Sequence, residues 1–569
     1  MTRSRTIGYL IALIILIMMY FPDVLSGQRI FVERDLPVFF YPWVHFWVDE
    51  LKNLSFPLWN PYLFSGEPLF ANLQPAVLYP LSLIYFVLPL DVGFNYNILV
   101  HFFLAGTFTF LLAREISKSD SSAAIASLSF TFGGYLLSVH NLISTLQSVT
   151  WFPLVLLFFL RSFSRRSRKY AMLAGAILCI MFLGGGAEVL LFTLGVLLFL
   201  TLFPWIIEDY PPLGARGCHL LLALLLFLGL GAIQIIPLLE LKNYSIRSSA
   251  LGFELATSWS LHPKNLLYLL FPDFFWRGQG FYYVDQNWLK TIYVGVAPLI
   301  LFFFSMGERG KRRIVILCLV FIPLILSMGK YAFLYQYLYS YVPLFDVIRY
   351  PVKCLFASLF FLSIASGLGW NRFREKVTRG NPSVYRVSVS LLVVGALSAF
   401  FLGIICFFPT ETEAYLTTNF PIGQERLWSD NLHNIARVLV FISFSGLFIS
   451  WAVRNKGRLF LANIGIILLI VLDLFLGNQG FYKSMDREKF HRKTPNINAI
   501  LSDTSLYRIY SSPKLKEAAI DNPGIENMVD DLIKELFFPN YPMVTRAYDA
   551  SGFGVLTNKH YFDLMSLVE

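Results

Sequence analysis

The sequence predicts an all-α polytopic membrane protein that crosses a bilayer about thirteen times and has a small α+β region after its last crossing. Two observations support this fold class. Of the 569 residues, 56% are hydrophobic and only 14% are charged, which is more apolar material than one soluble core would use. Apolar runs that approach or reach about 20 residues, such as 188–207, recur along the chain, and this is the length that crosses the hydrocarbon layer.

The basic residues indicate membrane topology rather than binding to nucleic acid. The net charge is +10, but Lys and Arg fall in short clusters between the apolar runs, where the rules of membrane insertion account for them. We therefore expect the lipid bilayer and no nucleic acid as a partner. Arg3 and Arg5 precede the first apolar run, and because no small-x-small cleavage site follows it, this run predicts an uncleaved anchor.

The basic clusters also predict which connections face the cytoplasm, because cytoplasmic loops are enriched in Lys and Arg. An even number of crossings must separate two successive clusters. If the short apolar segment 75–90 crossed the membrane, the number of crossings between two clusters would be odd. We therefore predict that this segment is an interfacial or re-entrant helix. The clusters are Arg3/Arg5, 161–169, 307–313, 371–379 and 454–458, with a weaker one at Arg114 and Lys118.

This parity predicts a multi-pass protein of the cell membrane with a cytoplasmic N-terminus and an extracytoplasmic C-terminus. Residues 1–477 form the predicted transmembrane domain, and 478–569 form an extracytoplasmic C-terminal region in which charged residues, Asn and Pro return. The predicted crossings are 7–21, 94–113, 120–139, 146–160, 170–187, 188–207, 217–239, 291–306, 314–328, 351–370, 386–408, 435–453 and 458–476.

The first external loop, 26–93, is aromatic and rich in Pro and Gly, and it predicts interfacial helices with Trp side chains at the level of the lipid headgroups. Asp35 lies just after the first crossing, where an enzyme acting on a lipid-linked substrate would place a general base. The alternative is a helix N-cap, because a Pro follows two residues later. Glu33 and Glu67 are weaker candidates, and we expect both to be solvated loop acids.

Several segments of the chain occur in an order that resembles a known family. They are Asp35 with YPW, FPLWNPYLFSGEP, 74–80, the Ala105/Gly106 region, WFPLVLL at 151–157, IRYPVK at 348–353, LDLFLGNQGF at 472–481 and the tail from NYPMVTRAYDASGFGVLTNKHYFDL. Together they resemble the YfhO-like bacterial membrane proteins of the GT-C glycosyltransferase superfamily. No single segment is a strict motif, and the ordered set carries the resemblance.

The resemblance implies a membrane glycosyltransferase with a GT-C-like fold. Such an enzyme takes a sugar from a polyprenyl-phosphate carrier at the outer face and has an acidic residue of the first external loop at its reaction centre. Asp35 matches that acid. The resemblance leaves the external acceptor unknown, and a cell-envelope glycopolymer, a glycolipid and a protein are all compatible with it.

A phosphate leaving group gains negative charge, so cations near the external interface are candidates for binding it. Arg349 and Lys353 are four residues apart at the start of an apolar run, although simple snorkelling would also place them there. Glu188, in GGGAE, is a candidate to orient the acceptor, or else a helix N-cap. His140 and Glu67 complete the predicted substrate-binding residues. No metal-binding motif occurs, no cofactor is indicated with certainty, and a divalent cation is left open.

Two other functions fit a polytopic protein that handles lipid-linked saccharides. A transporter or flippase needs several ionisable residues within its helices, and this sequence has few. A glycan polymerase or ligase would centre on a late external loop rich in Arg and His, and the segment 240–290 contains Arg247, His262 and Arg277.

Overall fold

The fold is taken from a computed structural model, which describes residues 3–249, 251–272, 289–307, 310–342, 345, 348–419, 427–503, 505, 507–510 and 540–567. Arg277, a residue that the polymerase or ligase alternative depends on, lies outside the described residues.

The apolar runs form long helices, and the polar connections between them form short helices and turns. The helices are α1 (Arg3–Tyr20), α2 (Tyr41–Lys52), α3 (Ile84–Val87), α4 (Leu90–Ser117), α5 (Asp120–Thr131), α6 (Gly134–Ser138), α7 (Ile143–Ser164), α8 (Arg168–Leu183), α9 (Ala187–Leu202), α10 (Leu213–Tyr244), α11 (Phe253–Ala256), α12 (Val296–Ser305), α13 (Lys311–Ser327), α14 (Phe333–Tyr341), α15 (Leu355–Thr378), α16 (Pro382–Phe407), α17 (Pro409–Asn419), α18 (Leu427–Arg454), α19 (Leu459–Gly477), α20 (Arg487–His491), α21 (Pro495–Ser502), α22 (Pro542–Thr545) and α23 (Lys559–Met565).

Every predicted crossing coincides with helical structure in the described part of the chain. Within that part, eight helical segments are long and apolar enough to cross a membrane by length and composition. The remaining predicted crossings coincide with α1, α8, α9, α12 and α13, which have 10 to 18 residues each. The multi-pass helical architecture is therefore confirmed, whereas the count of thirteen stays a prediction.

The helices divide into an interior set and a peripheral set. The apolar windows of α7 and α15 are almost entirely buried by their neighbours, as is that of α5. By contrast, α10 and α16 expose most of their apolar side chains, for example Leu225, Ile236 and Phe400. Such a large exposed apolar surface on a folded protein fits contact with lipid.

The basic clusters meet at one end of the bundle. Arg114, at the end of α4, donates a hydrogen bond of 2.7 Å to Thr6 near the start of α1, and Arg374, near the end of α15, donates one of 3.0 Å to Ser121 in α5. The first loop follows the opposite end of α1. The basic clusters and the first loop therefore lie at opposite ends of the helices.

The first loop is held by the C-terminal region through a two-stranded antiparallel sheet. Strand β1 (Arg29–Phe31) pairs with β2 (Ser484–Asp486), so that Ile30 lies opposite Met485. Further along, Phe64 N–H and Ser65 N–H donate hydrogen bonds of 3.1 Å to the carbonyls of Ser551 and Asp549. The C-terminal region thus packs directly on the loop that contains Asp35.

Two predictions for the first loop can be compared with the structure. Segment 75–90 forms no crossing helix, only a 3₁₀ turn (Pro80–Leu83) and the four-residue α3. The interfacial position predicted for Trp43 and Trp47 is wrong, because both side chains are buried, and Trp47 packs edge to face on Tyr85 with ring centroids 6.0 Å apart. Packing of the first loop on itself, as in the contacts of Trp43 with Phe39 and of Trp47 with Tyr85, makes this predicted interfacial helix part of the core.

The contact between α12 and α15 depends on a glycine. A Cβ atom on Gly369 would lie 1.8 Å from the carbonyl oxygen of Leu301, so the two backbones could not keep their present distance. We expect Gly369→Ala to lower the free energy of unfolding by about 1–3 kcal/mol, the usual cost of overpacking. Gly403→Ala in α16, where no atom lies within 4 Å of the added carbon, is the matched control. Thermal unfolding in detergent checks this, and equal stability of the two variants would contradict it.

Candidate functional site

Asp35 lies where the first loop turns from strand to helix. The chain leaves β1, passes through Arg34 with a left-handed backbone (φ 49°), and enters a π-helical turn (Leu36–Phe40) that continues into α2. Pro37 suits this first turn because its missing N–H would have no helical partner there. The Asp35 side chain makes no capping hydrogen bond. The N-cap alternative from the sequence is therefore not what holds this carboxylate.

The Asp35 carboxylate is enclosed and close to positive charge. Burial raises its pKa above the ordinary value for aspartate, and the charges of Arg34 and Lys353 oppose this rise. Among the described residues, no hydrogen bond or ion pair involves the Asp35 side chain. A desolvated carboxylate that keeps its acceptor capacity has the properties of a general base.

Tyr350 occupies the centre of the neighbouring loop before α15. Its backbone is left-handed (φ 67°), which is a genuine outlier for a bulky side chain. Its ring stacks on Trp259 with centroids 3.7 Å apart, and the guanidinium of Arg349 lies 4.3 Å from the ring centroid. Trp259 also has a positive φ (58°). Strained residues of this kind persist only where the surrounding packing holds them in place, and they cluster at functional sites.

Lys353 and Glu188 form an ion pair beside Tyr350. Lys353 Nζ donates a hydrogen bond of 2.8 Å to Glu188 Oε1, with 14% and 29% of the respective side chains exposed. Glu188 lies in the first turn of α9, whose N-cap is Gly186. Lys353 therefore points at a carboxylate of the protein and does not snorkel toward the membrane surface. Glu188 is not the N-cap of α9, because Gly186 occupies that position.

Arg247 joins the same cluster from the segment after α10. Burial lowers the pKa of its guanidinium, and the positive charge of Arg349 lowers it further. Burial raises the pKa of Tyr350. The positive charges of Arg349 and Arg247 lower this pKa, whereas the negative charges of Glu188 and Asp35 raise it. These charges therefore lie close enough together to influence one another.

We call Arg34, Arg247, Arg349 and Lys353 the cationic cluster. In the described part of the chain, two carboxylates, Asp35 and Glu188, interact with these four cations, so positive charge is in excess there. Arg34 Nη1 and Arg349 Nε are buried and have no hydrogen-bond partner in the described part of the chain. Buried donors without partners are costly, so they indicate a place where an acceptor of hydrogen bonds can bind. The arrangement suits an anion.

Glu33 and His140 belong to a separate buried network. Glu33 forms an ion pair with Lys290, and its Oε2 lies 3.0 Å from His140 Nε2, while His140 Nδ1 lies 2.6 Å from the Leu137 carbonyl oxygen. Burial alone would raise the pKa of Glu33, but the hydrogen bond with His140 and the charge of Lys290 lower it to about 2.

The expectation of a solvated Glu33 is therefore wrong, because tertiary packing encloses the residue and only 6% of its surface is exposed. His140 is 1% exposed. This placement ties His140 to Glu33 rather than to the cationic cluster, and it does not support the predicted substrate contact.

Glu67 lies beyond α2 and also differs from a solvated loop acid. Burial raises its pKa to about 7, although Asn60 Nδ2 donates a hydrogen bond of 3.0 Å to its Oε1. The backbones of Asn60 and Glu67 also pair in an isolated antiparallel bridge. Glu67 therefore stabilises the turn between these residues, and its predicted role in substrate binding stays a prediction.

The sequence predicts Asp35, Arg349, Lys353 and Glu188 on one side of the membrane, and the structure brings these four together. Arg34, Trp259 and Tyr350 were not among the predicted site residues, and Arg247 was named only for an alternative function. The signal for Tyr350 was available, because it stands between two predicted residues in IRYPVK. Trp259 is distant in sequence and carried no signal. Among the described residues, no group of three or more His, Cys, Asp or Glu could hold a metal ion.

The fold is that of a polytopic helical membrane protein, and its arrangement can be compared with those of solved structures. The structure is similar to that of ArnT from Cupriavidus metallidurans bound to undecaprenyl phosphate, with a TM-score of 0.50, 12% sequence identity, and coverage of 100% of this chain and 89% of that chain. The apo state of the same ArnT gives a TM-score of 0.45 at 11% identity, over 89% of this chain and 81% of that one.

The first of these similarities concerns the fold alone, and it confirms the predicted fold class. No protein-family model matches the chain, and no curated protein matches it in sequence. The resemblance to YfhO-like proteins of the GT-C glycosyltransferase superfamily therefore stays a prediction.

Proposed function

We propose that this protein is a membrane glycosyltransferase that moves a sugar from a polyprenyl-phosphate carrier to a hydroxyl group of an external acceptor. The observation that carries the proposal is the Asp35 carboxylate, which lies next to the cationic cluster and has no hydrogen-bond or ion-pair partner among the residues that the structure describes. One group can take up a proton while the others stabilise a departing phosphate, and an inverting glycosyl transfer needs both.

In the proposed reaction, Asp35 removes the proton of the acceptor hydroxyl as its oxygen attacks the anomeric carbon of the donor sugar. A bond forms between that oxygen and the anomeric carbon, and the bond from this carbon to the phosphate oxygen breaks. The phosphate keeps the bonding electrons and gains one negative charge. The cationic cluster stabilises this added charge, which is present in the transition state and absent from the bound donor.

Two further observations support the proposal. The fold is similar to that of ArnT, whose structure was obtained with undecaprenyl phosphate, so we expect a polyprenyl phosphate to be the lipid partner here as well. The basic clusters lie at the end of the bundle opposite Asp35, and the preference of Lys and Arg for cytoplasmic loops would then place the site on the outer face.

The test is transfer of label from radiolabelled polyprenyl-phosphate sugars in membranes that contain the protein. We expect the label to leave the lipid carrier and appear in an acceptor, with membranes lacking the protein as the control. Movement of the intact lipid-linked sugar across the bilayer, without a new glycosidic bond, would instead establish the flippase alternative and overturn the proposal.

The cationic cluster makes a separate prediction about donor binding. Replacing Arg349 with Gln removes a charge and charge-assisted hydrogen bonds to the phosphate. We expect the KM for the donor to rise about 10- to 100-fold, as the loss of such bonds implies. Arg379→Gln, an exposed arginine at the opposite end of the bundle, should leave KM unchanged. Steady-state kinetics with varied donor check this, and equal KM values for both variants would exclude Arg349 from donor binding.

A further inference from the structure

A cavity of about 220 Å³ lies between the first loop and the C-terminal region. Pro37 and Tyr41 line it from the π-helical turn and α2, Phe490, His491 and Lys493 from the segment around α20, and Tyr541 from the start of α22. None of these residues belongs to the cationic cluster. The function proposed above does not use this cavity.

The walls of the cavity combine aromatic rings with hydrogen-bond donors. Tyr41, Phe490 and Tyr541 provide aromatic rings, and His491 and Lys493 provide polar groups. The volume is below the range of about 300–1,000 Å³ that is typical of sites for drug-sized ligands. The cavity therefore has room for one ring-sized group and not for an oligosaccharide.

The electrostatics of the cavity favour an acidic ligand. Next to the cavity, Asp91 accepts hydrogen bonds from Tyr41 Oη (2.6 Å) and Arg487 Nε (2.5 Å), and its Oδ2 lies 2.8 Å from His491 Nε2. This carboxylate is thus fully occupied by its own partners. Lys493 has no carboxylate within ion-pair distance in the part of the chain that the structure describes. Its positive charge is therefore available to a ligand.

We propose that this cavity is the acceptor subsite and binds one sugar ring that carries an acidic group, either a carboxylate or a phosphate. Aromatic faces cover the apolar side of the ring, and Lys493 pairs with its acidic group. This proposal depends on the proposed function, because an acceptor is needed only if the protein transfers a sugar.

The position of the cavity relative to Asp35 supports this assignment. Pro37, in its wall, follows Asp35 by two residues along the chain, at the N-terminal end of the segment that continues into α2. A ring bound against Pro37 and Tyr41 would therefore lie at the same end of α2 as the proposed general base. The C-terminal region, which supplies Lys493 and Tyr541, completes the site and gives the contact between this region and the first loop a function.

The test measures binding without any donor, so that it does not depend on transfer. Purified full-length protein in lipid nanodiscs is titrated with glucuronic acid, glucose 6-phosphate and glucose, and ring contacts are followed by saturation-transfer difference NMR. We expect signals on the ring protons of both acidic sugars, with glucose at least 10-fold weaker. Equal binding of glucose, or no ring signal from either acidic sugar, would overturn the proposal.

Variants locate the binding. Lys493→Glu should weaken binding of the acidic sugars at least 10-fold, whereas Lys559→Glu, an exposed lysine of the same region outside the cavity, should not change it. Thr545→Trp fills the cavity without changing the charge, and it should also abolish the ring signals. If binding is lost in Arg349→Gln but kept in Lys493→Glu, the sugar binds at the cationic cluster and the proposal is wrong.

The result is separable from the proposed function. Asp35→Asn should lose transfer and keep sugar binding. If Asp35→Asn loses transfer and binds the sugar normally, the result tests only the role of Asp35 as general base. If the wild-type enzyme transfers sugar but does not bind the acidic sugars, only the proposal for the cavity is wrong.

Discussion

Asp35→Asn is expected to lower kcat for glycosyl transfer by about 10²- to 10⁴-fold, the usual contribution of a positioned general base. Asparagine keeps the size of the side chain but cannot take up the acceptor's proton. The cationic cluster is unchanged in this variant, so the KM for the donor should stay close to the wild-type value. Single-turnover transfer from a radiolabelled donor, with purified protein of verified folding, is the measurement.

Asp49→Asn is the matched control, because Asp49 lies in the same loop and pairs with Arg546 at the surface, away from the cationic cluster. It should retain full activity. An Asp35→Asn variant with a wild-type rate would remove Asp35 from the catalytic role, and a large rise in donor KM with unchanged kcat would make it a binding residue.

The pH dependence of the wild-type enzyme gives a second readout of the same group. A general base acts when deprotonated, so the rate falls as the pH drops through its pKa. Because burial raises the pKa of Asp35, the acidic limb of kcat/KM should lie above the value of about 3.9 for an ordinary aspartate. The residual activity of Asp35→Asn should lack this limb.

The helices could be predicted because lipid and protein interiors both demand apolar side chains. For this reason the run at 217–239 was predicted correctly as a helix. The observed helix α10 is longer and extends from Leu213 to Tyr244, because polar residues at a helix end leave no apolar signal in the sequence. The fold class followed from many such runs. Their lengths and order could be predicted, whereas their lateral packing depends on contacts such as that of Gly369 with Leu301.

The site could be predicted only in part, for a related reason. The topology places Asp35, Glu188 and Lys353 at one membrane face, and this limits how far apart they can be. It does not reveal that Lys353 turns toward Glu188, since residues 165 positions apart meet only through tertiary packing. Nor does it distinguish Asp35 from Glu33, two acids in the same short segment that have opposite environments in the fold.

That contrast predicts a different outcome for Glu33→Gln, which should reduce stability rather than the chemical step. Glu33 balances the charge of Lys290, and both side chains are almost fully buried. Removing one partner of a buried ion pair leaves an uncompensated charge and typically costs about 3–5 kcal/mol. We expect the free energy of unfolding to fall by this amount near neutral pH, measured by thermal or denaturant unfolding in detergent.

The pH dependence has a definite sign. The pKa of Glu33 is lowered to about 2 in the folded protein, against about 4.3 for an ordinary glutamate. Its contribution to stability is therefore present above about pH 4.3 and is lost as the pH falls toward 2, so the difference between wild type and Glu33→Gln should shrink in that interval.

Two variants separate charge from packing at this position. Glu208→Gln, at an exposed glutamate, should leave the stability unchanged. Adding Lys290→Met to Glu33→Gln removes the cation that has lost its carboxylate and should recover part of the lost stability, because a buried pair can be replaced by apolar groups at little cost. If the double variant were less stable than Glu33→Gln alone, the uncompensated charge of Lys290 would not be the cause. The difference between Glu33 and Asp35 would then have to come from the packing of the loop.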